Sequence, residues 1–218
     1  MTTASEMSAR QRGKQRKRDA IRAAAASLMA SKQLDEITMR EVAQLAGVGE
    51  ATLFRYVSGK SDLLHMVYGD ELDAVLDRIE ERDASFVAAN STHVTGDHCV
   101  LRVRAIYFER CAFYRRNPEN SARYLREGFR PEHGPASRNI AQGDRTIRLV
   151  ASIIDTGQAN GVLDLRPQPL LVAQNCHAIY MHEIDRTPVR GFDPDAIWDR
   201  VGPRLDAQLN PLVPLAGR

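Results

Sequence analysis

The chain has 218 residues, enough for one large or two small domains, and its 43% hydrophobic and 27% charged residues describe an ordinary globular protein. No apolar run reaches membrane-span length, the polar start has no signal-peptide core, and scattered Cys99, Cys111 and Cys176 lack metal spacing or a pairing pattern, which fits a reducing cytoplasm. The net charge of +2 is uneven: residues 1–66 hold 11 basic against 7 acidic residues, and the remainder 19 against 21. A basic end on a mildly acidic body fits a nucleic-acid-contacting module joined to a sensing body.

Residues 1–15 are polar and aperiodic and read as a disordered basic arm. Arg10, Arg12, Lys14, Arg16, Lys17 and Arg18 follow one another without an acid between them. Such a run is either a solvated tail or an arm that touches phosphate or the minor groove. A first helix is predicted over 16–31, with Ile21, Ala24, Ala25, Leu28 and Met29 as its apolar stripe.

The stretch 38–64, TMREVAQLAGVGEATLFRYVSGKSDLL, carries the most information. Thr38 with Glu41 three residues on forms a capping box, and Val42, Leu45 and Ala46 recur at helical spacing toward a common core. Gly47 stands where the chain must turn in the left-handed region. Gly49 is an N-cap, Glu50 suits a first helical turn, and a second helix over 50–56 buries Leu53. Gly59 ends it, and Ser61 caps a third helix. Helix, glycine turn, short helix is the helix-turn-helix, whose second helix enters the DNA major groove.

From residue 61 the helical pattern runs on to about 80 or beyond as a link between the two parts, and 90–97 reads as a loop. A helix over 98–117 is apolar nearly all round and belongs at the centre of the second part. A shorter helix covers 118–127, a Pro- and Gly-rich loop 128–135, and a long helix 136–160 closed by Gly161. A helix over 169–186 follows, then a last one over 194–210 capped by Asp193, with Gly202-Pro203 expected to kink or interrupt it. The fold class is all-α: an N-terminal three-helix helix-turn-helix head over 16–62 and a larger helical body over 63–212.

The run Thr38-x-Arg40-x-Val42-Ala43-x-x-Ala46-Gly47-Val48, then Ala51-Thr52-Leu53-Phe54-Arg55-Tyr56, then Lys60-x-x-Leu63-Leu64, resembles the TetR family of one-component transcriptional repressors over roughly 16–66. The resemblance implies DNA contacts at Thr38, Arg40, Gly49, Glu50, Ala51, Thr52, Arg55, Tyr56 and Lys60. Hydroxyl, lysine and backbone N–H groups at helix starts position phosphates, while Arg55 or Thr52 reaches base edges. Three positions depart from the family pattern. Phe54 stands where tyrosine is frequent and is free to pack, Gly49 replaces a common serine, and Glu50 occupies an often basic place.

The resemblance also implies a ligand pocket among the body helices, a homodimer, and a double-stranded, pseudo-palindromic operator. Ligand candidates are Tyr107, Cys111 and Tyr114 on the central helix and Asn175, Cys176, His177, Tyr180 and Met181 on a later one, with Phe86 and Met66 nearer the link. Polar groups among apolar neighbours orient a ligand, here a hydrophobic or aromatic one, though the same residues also serve as satisfied core. Ile179, Ile197, Val201, Leu205 and Leu209, with Trp198, are the apolar positions for a four-helix dimer interface, or for packing inside one subunit.

No enzyme motif or cofactor loop is present, and His177 and His182, five apart, do not share a helical face for a metal. A membrane-surface anchor fits poorly, because the alanine-rich first helix has no Trp or Phe to insert. The expectation is a ligand-released, cytoplasmic DNA-binding repressor, no enzyme and without cofactor. The alternative is a DNA-binding dimer whose body serves only dimerisation or protein contact.

Overall fold

A computed structural model describes residues 9–90, 94–127 and 138–214. The loop expected at 128–135, the arm residues 1–8 and part of the 90–97 loop lie outside these. The described residues hold nine α-helices and no strand: α1 (Ala9–Met29), α2 (Met39–Leu45), α3 (Glu50–Leu53), α4 (Lys60–Ala89), α5 (Gly96–Arg116), α6 (Pro118–Glu127), α7 (Arg138–Ala159), α8 (Pro169–Val189) and α9 (Ile197–Leu209). The chain divides into two compact units, Met1–Glu71 and Leu72–Arg218, and α4 begins in the first and ends in the second.

In the first unit α1 starts at Ala9, so residues 9–15, expected to be a disordered arm, are helical and solvent-facing. Ile21, Ala25 and Met29 of α1 are buried with Leu34 and Ile37 of a following 3-10 turn, Val42 of α2, Leu53 of α3 and Leu63 and Leu64 of α4. The capping box at Thr38 forms as expected, and Gly47 has φ +66. There the Val48 N–H donates to the Ala43 carbonyl and the Gly47 N–H to Gln44, which ends α2 in a Schellman turn that only glycine enters without strain.

Leu45 does not join the core; it is 56% exposed, and Val42 and Ala43 form the buried face instead. The second motif helix is a single turn continued by bonds to Arg55 and Tyr56, rather than helix throughout 50–56. Ser61 does not cap α4, which already starts at Lys60. Asp62 reaches back instead, accepting from the Ser58 N–H and hydroxyl at 2.7 and 2.6 Å.

In the second unit α5 is central and packs on α6, α7 and α9, while α8 packs on α7 and α9. It is not buried all round, because Leu101, Ala105 and Phe108 form an outward strip. The end of α7 crosses the start of α5 so closely that a Cβ on Gly157 would stand 2.6 Å from Leu163 Cδ1 and 2.9 Å from Cys99 Sγ. Gly161, at φ +69, closes α7 as expected.

The last helix starts at Ile197, because Asp193 accepts from the Asp195 N–H in a tight turn instead of capping a helix. It also runs unbroken through Pro203 to Leu209. The stripe Ile197, Val201, Leu205 and Leu209 is fully buried along it, and that packing carries the helix past the missing N–H. Burial of this stripe inside one subunit removes it from the set of dimer-interface positions.

Candidate functional site

The DNA-contact candidates gather at the N-terminal ends of three helices. Thr38 caps α2, its hydroxyl accepting from the Glu41 N–H at 3.1 Å, and Arg40 is exposed in the first turn. Gly49 caps α3 without a side chain, leaving the N–H groups at that end unobstructed, and Glu50, Ala51 and Arg55 are exposed beside it. Thr52 and Tyr56 are half-buried, and an Arg55 guanidinium N–H lies 3.4 Å from the Thr52 hydroxyl. Lys60 opens α4 with its ammonium donating to the Asp35 carbonyl at 2.7 Å. An ammonium has three donors, so that bond leaves capacity for a phosphate.

Leu53 is the fully buried anchor that fixes α3 against the rest of the head. Phe54, expected to pack, is 51% exposed next to it. An apolar ring there can meet a thymine methyl or a sugar, and sequence reasoning did not count it as a contact. On α1, the run from Arg10 to Arg18 is exposed throughout and now carried on a helix.

The eight ligand candidates separate into three sets. Tyr107, Cys111, Tyr114, Cys176 and Tyr180 are fully enclosed. Tyr107, His177 and Tyr180 form a ring cluster with centroids 5.9–6.3 Å apart. Burial pushes the Cys111 and Cys176 thiols up to about 12, so neither is a thiolate near neutral pH. His177 and Met181 line a cavity of about 130 Å³ between α5, α6, α7 and α8. Asn175 does neither: it faces solvent on the outer side of α8. The stripe 176, 180, 183, 184 and 187 is the one turned inward, and Asn175 falls off it.

Sequence reasoning missed Arg110 of α5, which lines the same cavity and is 1% exposed. It passed as one more cation on a helix because nothing local marks it as buried. A second, open cleft of about 440 Å³ lies along Ile79, Phe86, Leu101, Phe108 and Trp198. Phe86 is therefore at a cleft, although not at the cavity that Arg110 lines.

Residues 21–67 match the family model described as bacterial regulatory proteins, tetR family. Over that segment the chain carries the signature of the tetR family of bacterial regulatory proteins. No curated protein matches it. Among solved structures, a transcriptional regulator from Cytophaga hutchinsonii is 16% identical with a TM-score of 0.68, covering 90% of this chain and 98% of its own. FadR from Bacillus subtilis, in complex with stearoyl-CoA, is 15% identical with a TM-score of 0.62, covering 88% and 97%. FadR from Thermus thermophilus, a TetR-family transcriptional repressor in complex with lauroyl-CoA, is 18% identical with a TM-score of 0.58, covering 86% and 92%. At these identities the likeness is one of fold, and it extends through the body helices of this chain as well as its head. Among the described residues no helix is long and apolar enough to cross a membrane.

Proposed function

We propose that this TetR-family regulator is a cytoplasmic homodimeric repressor that a small hydrophobic or aromatic ligand releases from a pseudo-palindromic operator. The observation that carries the DNA half is the head itself. Three helix starts bearing Thr38, Arg40, Gly49 and Lys60 stand beside an α3 turn that presents Glu50, Ala51, Thr52, Arg55 and Tyr56. Helix N-termini, by the positive end of the helix dipole, suit phosphates. Phe54, exposed on the same turn, adds an apolar contact. We read residues 16–62 as the DNA-binding head and 63–212 as the ligand and dimerisation body.

Dimerisation is supported by the outer face of α8. Leu171, Ala178 and Val189 fall on one side of the helix at whole-turn spacing and are all exposed. The small Ala178 at the middle of that side lets a second helix approach closely. This face replaces the α9 stripe that packs internally.

The ligand response is supported by what α7 touches. Its residues Asn139, Ile140, Gly143 and Ile147 line the smaller cavity. On another side its Arg138 pairs with Asp73 at 2.5 Å, and Arg145 with Asp77 and Glu80 at 2.7 and 2.6 Å, all on α4. Occupancy of the cavity moves α7, the ion pairs carry the shift to α4, and the two heads of a dimer no longer fit both half-sites. A ligand achieves this only by binding one state better than the other. The acyl-CoA complexes of the FadR structures make a fatty-acyl compound one candidate of this hydrophobic class.

The test is a mobility shift with DNA flanking the chain's own gene, comparing the parent with Tyr56→Ala and Lys60→Ala. Each variant is expected to weaken binding to every sequence by about tenfold, as loss of a phosphate contact does. Parent-like binding by both would contradict the contact assignment.

A further inference from the structure

Arg110 is the feature of the body that its own packing leaves unexplained. It is 1% exposed, and a guanidinium cannot shed its proton. Its Nη1 donates to the Thr146 hydroxyl at 2.8 Å, and its plane lies 4.9 Å from the Tyr180 ring centroid. Both partners are neutral. No carboxylate lies within ion-pair distance of it among the described residues, whereas the other enclosed guanidiniums of the body are paired, Arg102 with Asp83 and Arg200 with Glu183. A buried cation without a counter-charge is costly and is retained where something supplies the charge.

Of the five buried side-chain atoms without a hydrogen-bond partner among the described residues, three belong to Arg110 and its neighbours. Arg110 Nε, Tyr107 Oη and His177 Nδ1 are all enclosed without a hydrogen-bond partner, and the Tyr107 and His177 rings belong to one cluster. Arg110 and His177 line the smaller cavity, which is partly open to solvent and whose remaining wall is mainly Leu125, Ile140, Ile147 and Met181. Asp144 also borders it, but is exposed to solvent. Burial first, and the Arg110 cation second, hold the His177 pKa down at about 3, so this ring is neutral at pH 7 and adds no second positive charge. One cation against apolar walls matches a carboxylate; a phosphate monoester would bring about two charges. A volume of about 130 Å³ is below the roughly 300–1,000 Å³ of drug-sized ligand sites, so the occupant is compact.

We propose that this cavity is a carboxylate site, in which Arg110 takes the anionic head of a small apolar monocarboxylate whose body lies against Ile140, Ile147 and Met181. The proposal refines the effector reading above and rests on it. The Nε and Nη donors of Arg110 offer the forked geometry that carboxylates accept.

The experiment titrates the full-length chain, without DNA, with benzoate and hexanoate and with the matching amides benzamide and hexanamide, by calorimetry and thermal shift. Each acid is expected to bind at least about tenfold more tightly than its amide, as a charge-assisted pair requires. Arg110→Met should abolish that preference and raise the melting temperature of the ligand-free chain, since it removes an uncompensated charge. Ile140→Phe, which narrows the cavity and leaves the cation, should weaken both acids. Equal binding of acids and amides, or no binding of either acid, would overturn the site. So would a lower melting temperature for Arg110→Met, the sign of a merely structural arginine. Adding operator DNA separates the two readings: an acid that binds through Arg110 yet leaves DNA bound supports the site and contradicts release by this ligand.

Discussion

His177 sits where little water reaches its Nδ1, and its pKa of about 3 lies far below its ordinary 6.5. The unfolded chain takes up a proton at this ring near pH 6.5 and the folded chain does not until about 3. Stability from this group is therefore complete above about pH 6.5 and falls as pH drops through the window, by up to a few kcal/mol. Urea melts at pH 7 and 4.5 should show His177→Gln losing less stability than the parent; equal losses would contradict the assignment. At the head, the Lys32 ammonium and the Thr38 N–H and hydroxyl hold the Glu41 carboxyl at about 2. Its contribution is present above its ordinary value and lost as pH falls from about 4.5 to about 2. The Thr38–Glu41 capping box and the glycine turns at Gly47 and Gly161 were legible in the sequence, because the groups that make each one are near neighbours in the chain. Arg110 was not, because whether it finds a counter-charge depends on α7 and α8, dozens of residues away.

Glu183 of α8 is fully buried and holds three guanidiniums, Arg186 at 3.3 Å on its own helix and Arg200 and Arg204 of α9 at 3.1 and 3.3 Å. Arg200 also donates to the Thr187 hydroxyl at 2.8 Å, so the network ties α9 to α8. Glu183→Ala leaves these cations facing one another without the carboxylate and should cost about 3–5 kcal/mol in chemical denaturation. A change under about 1 kcal/mol would mean that solvent already screens the network. Between α7 and α4, Arg145→Gln should leave ligand and DNA binding in place while reducing ligand-driven release, measured as the shift in DNA affinity at saturating ligand. An unchanged shift would remove α7 from the coupling route. The number and order of the helices were legible from apolar spacing, although α1 begins at Ala9 rather than 16 and α4 runs on to Ala89. The partner of each apolar face was not: the α9 stripe reads equally as interface or interior, and only its packing with α5 and α8 decides for the interior. The reverse holds for α5, where Leu101 and Phe108 look like core and face outward.

At the scale of the whole molecule, a two-fold symmetric operator takes two copies of the chain. Ala178→Arg places a charge on the exposed α8 face and is expected to shift sedimentation from dimer to monomer, with loss of operator binding, because half-sites roughly 34–36 Å apart are matched by two-fold symmetry. A variant still dimeric would move the interface elsewhere. The central claim is that the head binds DNA through phosphates. The most direct measurement is the affinity of the purified chain for the flanking DNA across a salt series, against an unrelated duplex of equal length. Log affinity is expected to fall steeply with log salt, with selectivity for the flanking fragment and a slope shallower by about one in Lys60→Ala. A salt-insensitive or unselective complex would contradict that claim.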